Sequence, residues 1–218
     1  MTPAVPRIQA ILGTDREGRF SEKAGAWLMD RLGARDDIEI ELVDLRDYPL
    51  PFYGQPVPPA YGHRDYPPDV ARWASKVDEA DGYIIVTGEY NHGYPALLKN
   101  ALDHTFPEFN RKPVAFVGYG NVGGARAIEQ LRLVSVEMEM APLRHAVHIL
   151  PDVMRPVREA GDGFDIELFA PLDPRLDTLA GDLTWWAAAL AAARTSPEVA
   201  VAPVAGQLPA NVQRDADR

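Results

Sequence analysis

Five short runs of apolar residues, rich in isoleucine and valine, recur between positions 7 and 149 of the chain. Runs of this length and composition are typical of buried β-strands. They predict strands over 7–12, 38–43, 82–87, 113–118 and 144–149. Between these runs, and after the last one, apolar residues recur at the three- and four-residue spacing of helices. The helical pattern covers 20–31, 70–77, 96–104, 128–138 and 176–190.

Strands and helices alternate strictly, as parallel strands joined by helical crossovers require. We therefore expect an α/β fold with a doubly wound, five-stranded parallel sheet of the flavodoxin-like type and strand order 2-1-3-4-5. Asp173 is the expected N-cap of the last helix, with Pro174 in its first turn. Trp185 and Trp186 are expected to pack against the sheet or against a second subunit.

Two segments interrupt this alternation. Residues 48–68 contain seven of the 20 prolines and five aromatic residues, which excludes a helix interior or a central strand. We expect a long loop there, either a surface excursion or a wall of a pocket or subunit contact. The sequence predicts one domain over 1–194, followed by a C-terminal extension over 195–218 that is flexible or packed against a partner.

Length, charge and composition limit the classes of protein to which the chain can belong. A chain of 218 residues suits one domain. The net charge of −10 disfavours nucleic acid and anionic membranes as partners. The chain has neither an apolar run long enough for a bilayer nor a signal peptide, so we expect a soluble, cytoplasmic protein. Without cysteine, electron transfer would need a bound cofactor. No metal site is expected, since His145 and His148 would face opposite sides of one strand.

The loop after the first strand has the composition of an anion site. Thr14 and Ser21 supply hydroxyl groups, Arg16 and Arg19 supply charge, and a helix begins directly after them. This combination suits a phosphate monoester at a helix N-terminus. The loop lacks the GK[ST] ending of a Walker loop, which disfavours nucleoside triphosphates. The alternative is a capped loop with solvent-exposed arginines.

The loops after the third and fourth strands complete the predicted crevice. The first of them, 87–95, is a rigid bend of backbone amides with a flat tyrosine, which suits a planar ring such as a flavin. Its alternative is a generic turn with Asn91 in a left-handed conformation. The other, 118–126, matches GxGxxG but lies in the fourth unit, with no acidic residue ending the next strand. We interpret it as a glycine-rich turn beside the ring.

Three motifs together resemble a known family. They are Gly-Thr-x-Arg-x-x-Arg from Gly13, Glu-Tyr-Asn-His-Gly-Tyr-Pro-Ala-x-Leu-Lys-Asn-Ala-Leu-Asp from Glu89, and Tyr-Gly-x-x-x-Gly-x-Arg-Ala from Tyr119. Over about residues 7–150 the chain resembles the NAD(P)H-dependent FMN reductases, flavodoxin-like proteins that include quinone, azo and chromate reductases. It departs from their usual pattern at Thr14, where the family has Ser, and at Gly88, where it has Pro.

The resemblance implies FMN as cofactor and NADPH or NADH as electron donor. The FMN phosphate is then expected near five residues of the first loop and helix: Thr14, Arg16, Arg19, Phe20 and Ser21. The ring is expected near seven residues of the other two loops: Glu89, Tyr90, Asn91, His92, Tyr119, Gly120 and Asn121.

The implied activity is hydride transfer from nicotinamide to FMN, then reduction of a quinone, azo, flavin or metal acceptor in the same site. This is a ping-pong cycle that needs no catalytic side chain. The resemblance also implies a homodimer or homotetramer. Two alternatives remain: a flavodoxin-type electron-transfer protein without its own NAD(P)H turnover, and a fold relative that binds FMN weakly and regulates by assembly.

Overall fold

The computed structural model describes residues 5–61 and 66–196 of the chain. At its centre is a parallel sheet of five strands in the order β2-β1-β3-β4-β5, which confirms the predicted topology. The strands are β1 (Arg7–Leu12), β2 (Glu39–Asp44), β3 (Gly82–Gly88), β4 (Pro113–Tyr119) and β5 (Ala141–Ile149). The last strand begins three residues before the predicted start. The second residue of β5 is Pro142, which a sheet tolerates here because β5 is an edge strand.

Helices cover both faces of the sheet. In the described ranges they are α1 (Phe20–Gly33), α2 (Pro68–Asp78), α3 (Ala96–Asp103), α4 (Ala125–Glu137), α5 (Pro151–Glu159) and α6 (Asp173–Thr195). Every residue of β3 and β4 is buried, as expected for a parallel sheet with two covered faces. Successive side chains of β3 alternate between the two apolar layers: Ile84 and Val86 face α1 and α6, whereas Ile85 faces α2 and α3.

The segment between β5 and α6 differs from the prediction. The sequence pattern does not predict α5, whose interior Pro156 argues against a helix. The helix forms nonetheless, with Val153, Met154 and Val157 buried on its inner side. A 3₁₀ segment, Ile166–Leu172, then leads into α6.

The predicted N-cap of α6 is wrong. Asp173 is the first residue of the helix, and its side chain makes no cap hydrogen bond. Its carboxylate instead accepts hydrogen bonds from Trp27 Nε1 at 2.9 Å and Arg31 Nε at 3.0 Å. Asp173 therefore fastens the start of α6 to α1, and this tertiary contact outweighs the local preference of aspartate for a cap.

The tryptophan pair of α6 does not pack against the sheet. Trp185 and Trp186 are 65% and 40% exposed, because α6 presents Leu176, Leu179 and Leu183 to the core instead. Their contact with a second subunit stays a prediction. The extension predicted over 195–218 falls, from residue 197 onward, outside the described residues. No helix among those described is both long and apolar enough to cross a bilayer.

A buried lysine closes the end of α2 at the amino-terminal edge of the sheet. The Lys112 ammonium donates to Asp78 O at 2.9 Å and to Val77 O at 3.3 Å. These carbonyls belong to the last turn of the helix, and that of Val77 also accepts hydrogen bonds from the Tyr83 hydroxyl at 2.7 Å and the Ala80 amide at 3.4 Å. Burial lowers the pKa of Lys112 to about 8, although the nearby Asp78 carboxylate partly opposes that shift.

This lysine makes the stability of the fold depend on pH. Between about pH 8 and pH 10.5 the unfolded chain holds a proton on Lys112 that the folded chain has released, so stability rises with pH. Lys112→Met removes this titration. We expect the free energy of unfolding of the native chain, minus that of the variant, to rise by up to about 3 kcal/mol across this window. Urea unfolding at a series of pH values measures it, and parallel pH profiles for the two proteins would contradict the expectation.

Candidate functional site

The loops after β1, β3 and β4 meet at one edge of the sheet. β3 lies between β1 and β4, and its last residue, Gly88, pairs with Tyr119 at the end of β4. The loops at 13–19, 89–95 and 120–124 are therefore neighbours, and we call them the first, second and third loops. The carboxyl edge is where doubly wound folds bind their ligands.

Three hydroxyl groups lie beneath the first loop. Thr14 Oγ1 is 2.7 Å from Ser21 Oγ and 3.3 Å from the Tyr119 hydroxyl, and all three residues are buried. Burial raises the pKa of Tyr119, so its phenol stays protonated. Phe20 packs on the Tyr119 ring with a centroid distance of 5.1 Å. These residues link β1, α1 and β4 and form the floor of the crevice, while the direct ligand contacts predicted for them stay predictions.

The Arg19 guanidinium forms its hydrogen bonds with other groups of the protein. The residue is only 2% exposed. Its Nη1 donates to Asp44 Oδ1 at 2.8 Å and to the Thr14 carbonyl, its Nη2 donates to the other Asp44 oxygen, and its Nε donates to Glu22 at 3.1 Å. Four of the five N–H groups of the guanidinium are thus occupied. These contacts do not support a direct phosphate contact from Arg19. Its role here is to hold the first loop in place.

Two residues that the sequence pattern does not single out, Asp44 and Arg46, hold the first loop from β2. Burial alone would raise the pKa of Asp44, but the hydrogen bonds from Arg19 and from the Arg46 amide, together with the charges of both arginines, outweigh burial and keep that pKa below its usual value. Arg46 donates through Nε to the Asp15 carbonyl at 3.0 Å and through Nη2 to the Arg16 carbonyl. The Asp15 and Arg16 carbonyls are therefore bound by a side chain two residues after the end of β2, and Asp44 at the end of β2 holds the arginine that binds the Thr14 carbonyl.

The amides of the first loop are available to an anion. The flanking amides, of Gly13 and Arg19, donate to main-chain carbonyls. Those of residues 14–18 have no acceptor in the described part of the chain. Residues 15–18 are exposed, and only Arg19 separates them from the start of α1 at Phe20. Exposed amides ahead of a helix N-terminus are a donor set that fits a phosphate group.

The second loop turns tightly through two left-handed residues. Asn91 and His92 have φ values of 50° and 69°, and Tyr90 and Gly93 exchange two main-chain hydrogen bonds of 2.8 and 3.0 Å. Positive φ at both central positions defines a type I′ turn. Asn91 is therefore left-handed, as the alternative reading of this loop expects. The Tyr90 hydroxyl accepts a hydrogen bond of 2.9 Å from Arg16 Nε, which joins the second loop to the first.

Glu89 fastens the second loop to α4. Its carboxylate accepts hydrogen bonds from Arg126 Nε at 2.7 Å and from the Arg126 amide at 3.2 Å, and its side chain is 8% exposed. A carboxylate at a helix N-terminus is electrostatically favourable. The carboxylate of Glu89 is thus used inside the protein, although the residue lines the crevice.

The third loop needs glycine for close packing and unusual backbone angles. A Cβ on Gly118 would lie 2.6 Å from the Gly123 carbonyl oxygen. Gly123 and Gly124 have φ values of 64° and 69°. Gly120, with a φ of 142°, is different: a Cβ there would meet nothing closer than 3.9 Å. The loop therefore folds tightly onto β4 while leaving free space above Gly120.

Two cavities share part of this edge. The first, of about 430 Å³, is lined by seven of the twelve predicted site residues: Arg16, Glu89, Tyr90, Asn91, Tyr119, Gly120 and Asn121. The second, of about 560 Å³, is lined by Arg16 and Arg19 among others. Thr14, Phe20 and Ser21 lie beneath the first loop, and His92 lies on the exposed turn, so these four residues line neither of the two cavities.

Helix α5 supplies a wall that the sequence motifs do not reveal. Met154 lines the first cavity, and Arg158 lines both. Pro151, two residues after the end of β5, is the local signal for a helix start here, but Pro156 argues against a helix and hides that signal.

Comparisons with known proteins show what this chain is similar to. A model of the NADPH-dependent FMN reductase family matches residues 6–152. An NAD(P)H-dependent FMN reductase of Schizosaccharomyces pombe is 37% identical over 150 residues, which are 67% of this chain and 75% of that protein. An NAD(P)H:quinone oxidoreductase of Solanum tuberosum is 31% identical over 166 residues, covering 73% of this chain and 82% of the potato protein.

The solved structure of FerB from Paracoccus denitrificans, a flavoenzyme NAD(P)H:(acceptor) oxidoreductase, is similar with a TM-score of 0.62. The match covers 86% of this chain and 98% of FerB at 20% identity. Identity at this level shows a shared fold.

The third loop offers a test of the packing that shapes the site. Gly124→Ala places a methyl group 2.9 Å from Gly118 Cα at a φ of 69°, so we expect a loss of about 2 kcal/mol or more in the free energy of unfolding. Gly181→Ala is the control, because its Cβ meets open space in α6, and it should stabilise by about 0.5–1 kcal/mol. Urea unfolding distinguishes them, and equal effects from both substitutions would contradict this account.

Proposed function

The chain belongs to the family of NADPH-dependent FMN reductases and is an oxidoreductase, and on that basis we propose that it binds FMN at the carboxyl edge of the sheet. Electrons then pass from NADH or NADPH, through FMN, to a small-molecule acceptor. The observation that carries this proposal is the first loop, where the amides of residues 14–18 lack acceptors within the described chain and Arg16 lies beside them.

We assign the phosphate of FMN to these amides and to Arg16. A phosphate monoester is a dianion, which exposed amides and a guanidinium stabilise by charge-assisted hydrogen bonds. Arg16 spends one N–H on the Tyr90 hydroxyl, so most of its donors remain for the ligand. Arg46 and Arg19 contribute indirectly, because they bind the carbonyl groups of the same loop.

We assign the flavin ring to the first cavity. Its volume of about 430 Å³ lies within the usual range for cofactor sites, about 300–1,000 Å³. Tyr90 and Tyr119 give it flat aromatic surfaces, and the main chain at 88–91 and 120–121 gives it hydrogen-bonding groups. FMN held in this cavity would supply the redox chemistry between reduced nicotinamide and the acceptor. The residues of the cavity bind and orient the ring, and positioning is the main contribution that such a reaction requires from a protein.

The described part of the proline-rich loop, residues 48–68, forms one side of the entrance to the first cavity. Asn100 holds it against α3, since its Oδ1 accepts from Tyr53 N at 2.9 Å and its Nδ2 donates to Pro51 O at 2.8 Å. A further cavity of about 320 Å³ lies between this loop and Tyr90, with Phe52 on its wall. Phe52 is 88% exposed. An exposed aromatic beside the ring site suits flat substrates.

We propose that nicotinamide and acceptor use this entrance in turn, in a ping-pong cycle. The acceptor class we favour is a quinone or another flat conjugated compound, in keeping with the activity named for the potato relative and with the aromatic wall at Phe52. Azo compounds, free flavin and oxidised metals are the other acceptors to compare. A homodimer or homotetramer stays the expectation from the resemblance, and a cytoplasmic location stays the expectation from the sequence.

Flavin reduction by nicotinamide tests the function directly. After incubation with FMN and removal of the excess, we expect the protein to retain flavin absorbance, and NADH or NADPH alone should bleach it without oxygen. Adding a quinone should then restore the colour. Bleaching that requires a separate reductase protein would instead indicate an electron carrier. A chain that takes up no FMN would contradict the proposal.

Substitutions at Arg16 and Arg19 distinguish an effect on FMN binding from an effect on stability. Arg16→Ala should weaken FMN binding by roughly 1.5–3 kcal/mol, because it removes a charge-assisted contact, while the flavin-free protein loses no more than about 1 kcal/mol in free energy of unfolding, since only the exposed hydrogen bond to Tyr90 is lost. Arg19→Ala, its contrast, leaves Asp44 without its partner and should cost about 3 kcal/mol or more in stability. Flavin fluorescence titration and urea unfolding give the two quantities. FMN affinity unchanged by Arg16→Ala would count against the assigned phosphate position.

A further inference from the structure

Helix α5 places a basic side chain at the junction of the two cavities. The match to the family model ends at residue 152, in the first turn of α5. Arg158, near the end of this helix, lines both the first and the second cavity. Arg16 is the other residue that lines both. Two guanidinium groups therefore border the space beside the amides of the first loop.

The basic side chains around the second cavity differ in how many hydrogen bonds and ion pairs they form within the protein. Arg19 is bound to Asp44. Lys23 donates to the Gly161 carbonyl and lies 3.6 Å from the Asp162 carboxylate. The Arg158 guanidinium forms no hydrogen bond or ion pair with another residue in the described ranges, and it lies 5.6 Å from the centroid of the Phe20 ring.

The guanidinium lies over the Phe20 ring, and this contact uses none of its hydrogen-bond donors. A guanidinium that stacks on an aromatic face keeps its N–H edge free for a planar or phosphate ligand. Phe20 is the first residue of α1, directly after the first loop. Arg158 is therefore positioned beside the loop whose amides lack acceptors.

The balance of charge at this place favours an anion. Three carboxylates also line the second cavity. Glu22 is bound to Arg19 and Arg46, and Asp162 lies near Lys23. Glu17, on the exposed part of the loop, is the remaining acid of this lining. Arg16 and Arg158 together outweigh its single charge.

We propose that Arg158 is a further phosphate-binding residue, which together with Arg16 holds the terminal phosphate of FMN. This inference rests on the proposed function, since it takes the first loop as the phosphate site. A phosphate monoester could also come from the 2′-phosphate of NADPH. We commit to FMN because Arg158 stacks on the residue that directly follows the first loop.

The test compares FMN with riboflavin, which differs from it only in lacking the phosphate. We expect Arg158→Ala to weaken FMN binding to the flavin-free protein about 10- to 100-fold and to change riboflavin binding less than about twofold. Arg158→Lys should recover part of the loss, because it restores charge without the planar fork. Arg155→Ala is the matched control. It removes an exposed arginine of the same helix that lines neither cavity, and it should leave both affinities unchanged.

The outcomes distinguish phosphate binding by Arg158 from packing on Phe20 and from a failure of the proposed function. Equal loss of FMN and riboflavin affinity in Arg158→Ala would overturn the inference and assign Arg158 to packing on Phe20. Unchanged FMN affinity would also overturn it, and a selective rise in the KM for NADPH over NADH would then place the 2′-phosphate at Arg158. If the native chain binds neither flavin, the proposed function itself fails. If the native chain binds FMN more tightly than riboflavin and Arg158→Ala keeps that ratio, the inference alone fails.

Discussion

The geometry of the crevice depends on one ion pair, between Arg19 and Asp44. Arg19 is almost completely buried, and burying its charge would be strongly unfavourable without a carboxylate partner. Asp44 at the end of β2 provides that partner, and a further N–H of the same guanidinium binds the Thr14 carbonyl. The pair therefore joins the edge strand to the first loop. With Arg46 it holds three successive carbonyl groups of that loop, at residues 14 to 16.

The strand order brings the first loop next to the second and third loops. Because β3 lies between β1 and β4, the free amides of the first loop, the type I′ turn of the second and the glycine turn of the third border the same crevice. Each is held by contacts that leave the crevice open: Arg16 with Tyr90, Glu89 with Arg126 and Gly118 with Gly123. The acidic surface of the chain does not conflict with an anionic cofactor, because basic groups are concentrated where the phosphate is proposed.

Local patterns were sufficient to predict the sheet and the loops of the crevice. The five strands and their order follow from apolar runs separated by helical spacing, and the specialised residues of the three loops follow those strands directly. The partners of individual side chains could not be predicted in this way. Arg19 reads as a phosphate ligand from its loop, because Asp44, which binds it, is 25 residues away. Asp173 reads as a cap until Trp27 and Arg31 are seen beside it. Helix α5, with a proline in its interior, has too weak a pattern to reveal Arg158.

We propose that the three loops form one flavin site, with the phosphate on the amides of the first. A crystal structure of the chain grown with FMN tests this most directly. We predict the phosphate within hydrogen-bond distance of the amides of residues 14–18 and the ring between Tyr90 and Gly120. Flavin bound at another face of the molecule, or a ring in this crevice with its phosphate pointing away from the first loop, would contradict the account.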